Sequence, residues 1–214
     1  MSLYEESALT VAGLLLQIKA IKLNVASPYT WASGIKSPIY CDNRITLSFP
    51  KIRTYLRQEF ARIIEEKYEK PDLIVGVATG GIAHGVLVAQ ELGLPFAYVR
   101  TEKKSHGLTN QIEGHVESGQ TVIIIEDLVS TGGSSLSAVT ALRDAGLKVK
   151  AMLAIFTYGL DVAKDNFAKE NVELFTLTNY ETLLSKAIED KYVTEKDLQS
   201  LISWRMNPHA WKQS

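Results

Sequence analysis

The sequence predicts an α/β protein with a central parallel β-sheet flanked by helices. From about residue 70 onward, short apolar segments of strand length alternate with segments whose apolar residues recur at helical spacing. The short segments are apolar throughout, which is typical of strands buried on both faces of a parallel sheet. Ligands bind such sheets beyond the carboxyl ends of the strands, so the loops at those ends are the first candidates for function.

The elements follow in order along the chain. Helical periodicity predicts helices over residues 5–20 and 50–70, and the turn-rich segment between them has too little periodicity for a main sheet. The rest is predicted as strands at 72–78, 95–100, 121–127, 148–158 and 172–178, helices at 82–93 and 134–146, a helix before the last strand and two C-terminal helices. A polar loop is predicted from residue 101 to about residue 119.

Composition excludes several classes of protein. The 214 residues carry a formal net charge of −1, so no basic field predicts a nucleic-acid or membrane partner. Cys41 is the single cysteine, which rules out an internal disulfide and indicates a reducing, cytoplasmic location. No segment approaches the roughly 20 apolar residues that cross a bilayer. Any anion must therefore be bound by a local arrangement of residues.

One such arrangement is the stretch VIIIEDLVSTGGSS, residues 122–135. Its glycines, Gly132 and Gly133, and the helix start that follows can gather backbone amides around an anion, without the lysine of the nucleotide-binding P-loop. Glu126 and Asp127 can accept hydrogen bonds from sugar hydroxyls, both from one sugar only if the strand turns there. The stretch predicts a ribose 5-phosphate site. The simpler alternative is a strand-to-helix connection with a Ser or Thr cap.

This stretch resembles the motif that binds 5-phosphoribosyl 1-diphosphate (PRPP) in the type I phosphoribosyltransferases. In that family, four hydrophobic residues, two acids and a Thr-Gly-Gly-type loop bind the ribose hydroxyls and the 5-phosphate. The resemblance implies the type I phosphoribosyltransferase fold, with a central parallel sheet flanked by helices and a small N-terminal hood subdomain.

Two more segments carry the chemistry of a diphosphate leaving group. We call residues 100–114, RTEKKSHGLTNQIEG, the lid; Arg100, Lys103, Lys104 and His106 make it basic. A closing basic lid would receive the charge of the departing diphosphate and exclude water, whereas the alternative is a solvated surface loop. The turn GVATGG, residues 76–81, could bring backbone amides to the diphosphate, although such Gly-rich turns are common.

The acceptor is indicated by the segment YTWASGIKSPIYCDNR, residues 29–44. It is similar to the hood of orotate phosphoribosyltransferases, where the pattern F/Y-T-x-x-S-G-x-K-S-P-x-Y recurs, and the lid matches their R-x-x-x-K-x-H-G pattern. The resemblance implies one domain over residues 1–214, with a hood of about residues 20–48 and a PRPP-binding core of about residues 70–180. The implied reaction transfers the 5-phosphoribosyl group from PRPP to orotate, giving orotidine 5′-phosphate and diphosphate in UMP biosynthesis.

The resemblance also assigns residues, position by position. Lys104 and Asp127 are the expected catalytic residues, and Ser130 is expected to touch orotate as well as PRPP. The expected PRPP-binding residues are Arg100, Lys104, His106, Glu126, Asp127, Leu128, Val129, Ser130, Thr131, Gly132, Gly133 and Ser134. The family implies Mg²⁺ bound mainly through PRPP, without metal ligands from the protein, and a homodimer in which the lid serves the neighbouring subunit's site.

Four positions depart from the family pattern. Ala32, Thr101 and Gly80 stand where many members have lysines, and Tyr158 stands where an arginine binds orotate. The orotate carboxylate would then be held by hood amides near residues 36–40 or by Arg44.

Two other functions share the motif. A purine phosphoribosyltransferase would not require the hood pattern. A regulator that senses PRPP on the same fold would need a DNA-binding module, and no basic helix-turn-helix segment is left over.

Overall fold

The protein is described by a computed structural model over residues 2–31, 34–100 and 111–211. Its helices are α1 (Leu3–Gln17), α2 (Pro50–Lys67), α3 (Gly80–Leu92), α4 (Gly133–Asp144), α5 (Asp161–Lys169), α6 (Tyr180–Glu189) and α7 (Glu195–Met206), with a 3₁₀ helix at Asn43–Ser48. Its strands are β1 (Ile21–Leu23), β2 (Tyr29–Thr30), β3 (Lys36–Ser37), β4 (Ile39–Cys41), β5 (Leu73–Val77), β6 (Phe96–Val99), β7 (Ile112–Glu113), β8 (Thr121–Val129), β9 (Lys148–Thr157) and β10 (Glu173–Asn179).

The main sheet has six strands in the order β10-β9-β8-β5-β6-β7. The first five run parallel, as the sequence predicted, and this confirms the α/β fold class. The sixth strand, β7, pairs antiparallel with β6 and lies in the segment predicted as loop. With two residues it is too short to give a periodic signal in the sequence.

Side-chain alternation along β8 explains why its sequence reads as continuously apolar. Ile123 and Ile125 belong to a core that includes helices α1, α2 and α6, whereas Val122 and Ile124 belong to the core under α4 and α5. Successive strand residues point to opposite faces of a sheet, so a strand covered on both faces has no polar side.

The chain creates a crevice between β5 and β8. From β5 it passes through α3 to β6 on one side, and it later returns to place β8 on the other side of β5. The two strands are parallel and in register, with Gly76 opposite Ile125. Such a reversal of strand order is the place where open α/β sheets bind ligands, at the carboxyl ends of the two strands.

Residues 20–48, the predicted hood, form two small antiparallel pairs, β1 with β4 and β2 with β3. The Trp31 indole N–H donates to the Ile39 carbonyl at 3.2 Å, which ties the two pairs together. The 3₁₀ helix that follows contacts both α3 and β8, so this segment lies over the end of the β5–β8 crevice.

Some boundaries differ from the predicted ones. β8 continues two residues beyond its predicted end, to Val129, and α3 starts at Gly80 rather than at residue 82. In both cases the regular backbone geometry continues into residues that the sequence assigned to a loop. None of the described helices has the length and apolarity that crossing a membrane requires.

Candidate active site

A cleft of about 400 Å³ opens at the carboxyl edge of the sheet, and we call it the carboxyl-edge cleft. The turn from β5 to α3, the end of β8 and the residues after β4 form its walls. Its lining residues are Cys41, Asp42, Arg44, Ala78, Thr79, Gly80, Glu126, Asp127, Leu128 and Ser134. The structure thus brings both predicted acids, the GVATGG turn and the start of α4 to one cavity.

Glu126 lines this cleft but is almost fully buried, with 5% of its surface exposed. One carboxyl oxygen accepts from the Asp127 backbone N–H at 2.9 Å, and the other accepts from the Ser135 hydroxyl at 3.1 Å. Burial, reinforced by the neighbouring Asp127 charge, raises the pKa of Glu126 well above its usual value. Glu126 therefore holds the end of β8 and the first turn of α4 together.

Asp127 is the more accessible acid of the pair. Burial raises the pKa of its carboxyl group, although less strongly than that of Glu126. The carboxyl group lies against the backbone of Gly80, where a Cβ atom would overlap it. With Asp127 in this position, residue 80 of this chain has no room for the lysine of the family pattern. The absence of a side chain at Gly80 is part of the geometry of the cleft.

The loop after β8 ends in a helix start that the sequence only partly predicted. The N-cap of α4 is Gly132, in the left-handed conformation with φ 85°, and within the described part of the chain no side chain caps this helix end. The alternative of a Ser or Thr cap is wrong. The first N–H groups of a helix have no partner within the helix, so this end can receive an anion.

The remaining loop residues differ in what they can offer a ligand. Leu128 and Ser134 line the cleft, and Thr131 is exposed. Val129 is fully buried in the sheet, and its carbonyl accepts from the Thr157 hydroxyl at 3.0 Å. The Val129 side chain therefore packs in the core, and only its backbone is available near the site.

A second cleft of about 280 Å³ lies under the hood, and we call it the aromatic cleft. Its lining residues are Thr30, Trp31, Tyr40, Cys41, Leu128, Ser130 and Tyr158. Cys41 and Leu128 line both clefts, so the two cavities adjoin at these residues. The aromatic cleft offers flat apolar surfaces with a few hydroxyl groups, which suits a planar heterocycle.

Helix α7 supports the aromatic cleft from behind. The ring of Trp204, which is fully buried, lies 5.6 Å from the Trp31 ring and 5.7 Å from the Tyr158 ring. Trp31 and Tyr158 are themselves 5.2 Å apart. Burial raises the pKa of the Tyr158 phenol, so it stays neutral. The hood and the sheet thus share one aromatic cluster.

Comparison with known proteins agrees with this geometry. The family model "Phosphoribosyl transferase domain" matches residues 50–181. The chain belongs to the phosphoribosyl transferase family. It is 54% identical to an orotate phosphoribosyltransferase of Phocaeicola vulgatus over 92% of this chain and 93% of the relative. It is also 51% identical to one from Listeria innocua over 94% of this chain and 96% of the relative.

Solved structures extend the similarity to the fold. The crystal structure of orotate phosphoribosyltransferase from Aeropyrum pernix superposes with a TM-score of 0.73 at 27% identity, covering 82% of this chain and 97% of that one. The resemblance stated from the sequence is therefore confirmed for the family and for its fold.

The cations predicted for this phosphoribosyltransferase are only partly described. Lys104 and His106 lie outside the described residues, as do Thr101 and Lys103 of the lid. Arg100 follows β6, and its guanidinium lies 3.6 Å from the Glu113 carboxylate. Its backbone N–H donates to the Gln111 carbonyl at 2.9 Å, which connects the two ends of the undescribed segment.

Arg44 does not occupy the place expected for an orotate-binding cation. Its guanidinium pairs with Asp42 at 2.7 Å, and both residues line the carboxyl-edge cleft instead. No charged residue is found among the described residues that line the aromatic cleft. Ala32, another departure from the family pattern, lies outside the described residues.

Two residues at the clefts of this phosphoribosyltransferase, Cys41 and Asn43, were not predicted as site residues. Cys41 adjoins both clefts, and burial followed by the Asp127 charge raises the pKa of its thiol, so it remains protonated. Asn43 reaches Asp127 from the hood. Asn43 follows Asp42 in the segment described above as turn-rich, and such a pair is typical of a turn. Among the described residues, no group of three or more His, Cys, Asp and Glu side chains could hold a metal ion.

Proposed function

We propose that this protein transfers the 5-phosphoribosyl group of PRPP to orotate, forming orotidine 5′-phosphate and diphosphate in pyrimidine biosynthesis. The observation that carries the proposal is the meeting of the two clefts at Cys41 and Leu128. One cleft has carboxylates and an open helix start, which suit a sugar phosphate. The other has the aromatic walls that suit a pyrimidine ring. The bond between sugar and base would form where the two meet.

PRPP would bind in the carboxyl-edge cleft. Asp127 accepts hydrogen bonds from the ribose hydroxyls, while Glu126 supports it by holding its backbone N–H. The 5-phosphate binds at the start of α4, at residues 130–134, where backbone amides and hydroxyls converge. The diphosphate is directed toward the turn between β5 and α3. The ribose, the 5-phosphate and the diphosphate would each lie beside protein groups that can bind them.

The chemistry follows from this arrangement. The bond from C1′ to the diphosphate oxygen breaks, the diphosphate leaves with the electron pair, and the ribose becomes oxocarbenium-like. The orotate ring nitrogen forms the new bond to C1′ and gives up its N–H proton to the departing diphosphate. Asp127 stabilises the cationic ribose electrostatically and holds it in line between the orotate nitrogen and the departing diphosphate. Hard oxygen ligands suit Mg²⁺, so such an ion would be held mainly by PRPP oxygens, where it would neutralise charge on the diphosphate.

The lid completes the site. By the family pattern, Lys104 carries the charge that develops on the leaving diphosphate, with Arg100 and His106 as further PRPP contacts. We propose a homodimer in which these residues reach the neighbouring subunit's site. The location is proposed to be cytoplasmic, in keeping with the single cysteine.

Orotate would stack in the aromatic cleft against Trp31 or Tyr40, with Ser130 and Thr30 as hydrogen-bonding groups. Tyr158 replaces the family's arginine, and Arg44 is engaged by Asp42. We therefore assign the orotate carboxylate to backbone amides of the hood near residues 36–40, which remain the partners expected from the sequence.

The test mixes the protein, Mg²⁺ and PRPP with orotate, uracil, adenine, guanine or hypoxanthine in separate reactions. Loss of orotate absorbance with release of diphosphate is expected, and the other bases should react far more slowly. Preferential use of a purine would instead favour a purine phosphoribosyltransferase. No turnover, together with a salt-dependent shift of DNA that responds to PRPP, would favour a regulator.

A further inference from the structure

The strongest unassigned feature is a buried chain of polar side chains that connects α3 to Asp127. It consists of His84, Thr46 and Asn43, each no more than 1% exposed. His84 belongs to α3, and the other two belong to the 3₁₀ helix that closes the hood. Buried polar groups are costly unless every hydrogen bond is made, so such a chain calls for an explanation.

The direction of each hydrogen bond can be worked out. The Thr46 hydroxyl lies 2.5 Å from the Asn43 carbonyl, which can only accept, so the hydroxyl donates its single proton there. The same hydroxyl lies 3.2 Å from the His84 Nε2, which must therefore carry the hydrogen and donate. Burial lowers the pKa of His84 to about 4, so the ring is neutral with its proton on Nε2 near neutral pH.

The side chain of Asn43 is held at both ends. Its amide nitrogen donates to the Asp127 backbone carbonyl at 2.6 Å, and its oxygen accepts from the Cys41 thiol at 3.4 Å. An acceptor at one end and a donor at the other fix the orientation of the amide. The chain thus ends on the peptide that carries the predicted catalytic acid.

The backbone is held on both sides of the Asp127 Cα atom, and the carboxyl group is closely packed. Its side chain lies against the Gly80 backbone on one side. Its backbone N–H is held by Glu126, and its backbone carbonyl is held by Asn43. A rotation of the backbone at Asp127 would move the carboxylate away from the position in which it faces the cleft.

We propose that Asn43 is a positioning residue that aims the Asp127 carboxylate at the two ribose hydroxyls of PRPP and thereby links the hood to the sugar site. This role rests on the proposed function. Thr46 and His84 support it by fixing the Asn43 backbone. Asn43 touches neither substrate in this role and acts through Asp127.

The test uses variants that change hydrogen bonding with little change of shape. Asn43→Leu keeps the branching and number of heavy atoms without adding charge, and Thr46→Val removes only the hydroxyl. Thr46→Ser retains the hydroxyl and is the matched control. We expect Asn43→Leu to raise the KM and the Kd for PRPP about 10-fold, with a smaller effect of Thr46→Val, because a hydrogen bond to the acid's own peptide is lost. Thr46→Ser and the KM for orotate should stay near wild type.

A double-mutant cycle separates positioning from general stability. In an Asp127→Asn background, Asn43→Leu should cause little further loss of PRPP binding by titration calorimetry, because the carboxylate that it positions is already absent. Additive losses, or unchanged PRPP binding in both Asn43→Leu and Thr46→Val, would overturn the inference. Failure of both variants to fold, judged by circular dichroism, would overturn it too and make Asn43 a folding residue. A wild-type protein that does not use PRPP at all would instead defeat the proposed function.

Discussion

At the scale of single residues, the carboxyl-edge cleft depends on a position that has no side chain. Gly80 has no side chain, and the Asp127 carboxyl group occupies the space that a Cβ atom would need. The same position carries a lysine in many relatives by the family pattern. A chain that places its acid here must therefore obtain positive charge elsewhere, and the lid is the segment in which the sequence supplies it.

Gly80→Ala tests this close approach. The added methyl group should force Asp127 out of its position and lower kcat/KM for PRPP by about 100-fold, the effect of misplacing a catalytic group by about 1 Å. Gly13→Ala in α1 is the matched control, because its methyl group would meet only the flexible Lys186 side chain at 3.1 Å. Steady-state kinetics of both variants measure kcat/KM for PRPP. Wild-type kinetics in Gly80→Ala would show that Asp127 can act from another position.

The acid pair predicts a dependence of stability on pH. Burial, and then the Asp127 charge, raise the pKa of Glu126, so the folded protein keeps a proton that the unfolded chain releases above about pH 4.3. The unfolded state then binds fewer protons, and the free energy of unfolding falls as pH rises from there through the raised pKa.

The lowered pKa of His84 acts in the opposite direction over this range, so the effect of Glu126 is read from a comparison with Glu126→Gln, which carries no charge at either pH. We expect the melting temperature of the ligand-free wild type, relative to that of Glu126→Gln, to be higher near pH 5.5 than near pH 7. Melting curves of the two proteins at both pH values provide the measurement. An equal pH dependence in the variant would assign the effect to other groups.

At the scale of elements, much of the fold could be predicted and the reasons are physical. The apolar strands and the helices between them follow from burial on two faces, and the parallel sheet was expected from that pattern alone. β7 was missed because Ile112 and Glu113 are too few to show a period. The contact of Asn43 with Asp127 joins residues 84 positions apart, and no local pattern encodes such a pairing.

The loop between β8 and α4 gives a prediction that only the structure could refine. Gly132 has φ 85°, and a Cβ atom there would lie 2.9 Å from the Phe167 ring, so a substitution disturbs folding as well as binding. Gly133 has open space around its Cβ position and begins α4. Gly133→Ala is therefore the cleaner test of the phosphate site.

We expect Gly133→Ala to melt at or slightly above the wild-type temperature, because alanine restricts the unfolded chain more than glycine does. PRPP binding should weaken by about 10-fold, since the methyl group limits the approach of phosphate to the backbone amides. Titration calorimetry with PRPP measures the affinity, and Gly132→Ala should lose stability as well. Wild-type affinity in Gly133→Ala would place the 5-phosphate elsewhere.

At the scale of the whole molecule, Arg44 is the only cation among the described residues that line the two clefts. Arg44 is paired with Asp42, and Arg100 lies near Glu113. A reaction that releases diphosphate needs positive charge at the leaving group. The sequence offers it in the lid, through Lys104, and the family pattern directs the lid to the neighbouring subunit. A test of Lys104 in catalysis is then also a test of the proposed homodimer.

Lys104→Ala should lower kcat more than it lowers substrate affinity, because charge on the diphosphate develops late. Removing such a contact costs about 3–4 kcal/mol of barrier, or two to three powers of ten in rate. Asp127→Asn should be nearly inactive for a different reason, since the sugar loses its acid. If the lid crosses between subunits, a mixed dimer of these two variants contains one site with both residues intact and one site lacking both.

Mixing equal amounts of the two variants should therefore restore activity. Random exchange makes half of the dimers mixed, each with one working site of two, so about a quarter of the wild-type activity is expected. Subunit exchange must be verified independently, for example by native mass spectrometry of differently tagged chains. Each variant exchanged with itself is the matched control and should stay inactive. Verified exchange without recovery would mean that Lys104 acts on its own subunit, and the shared site would have to be abandoned.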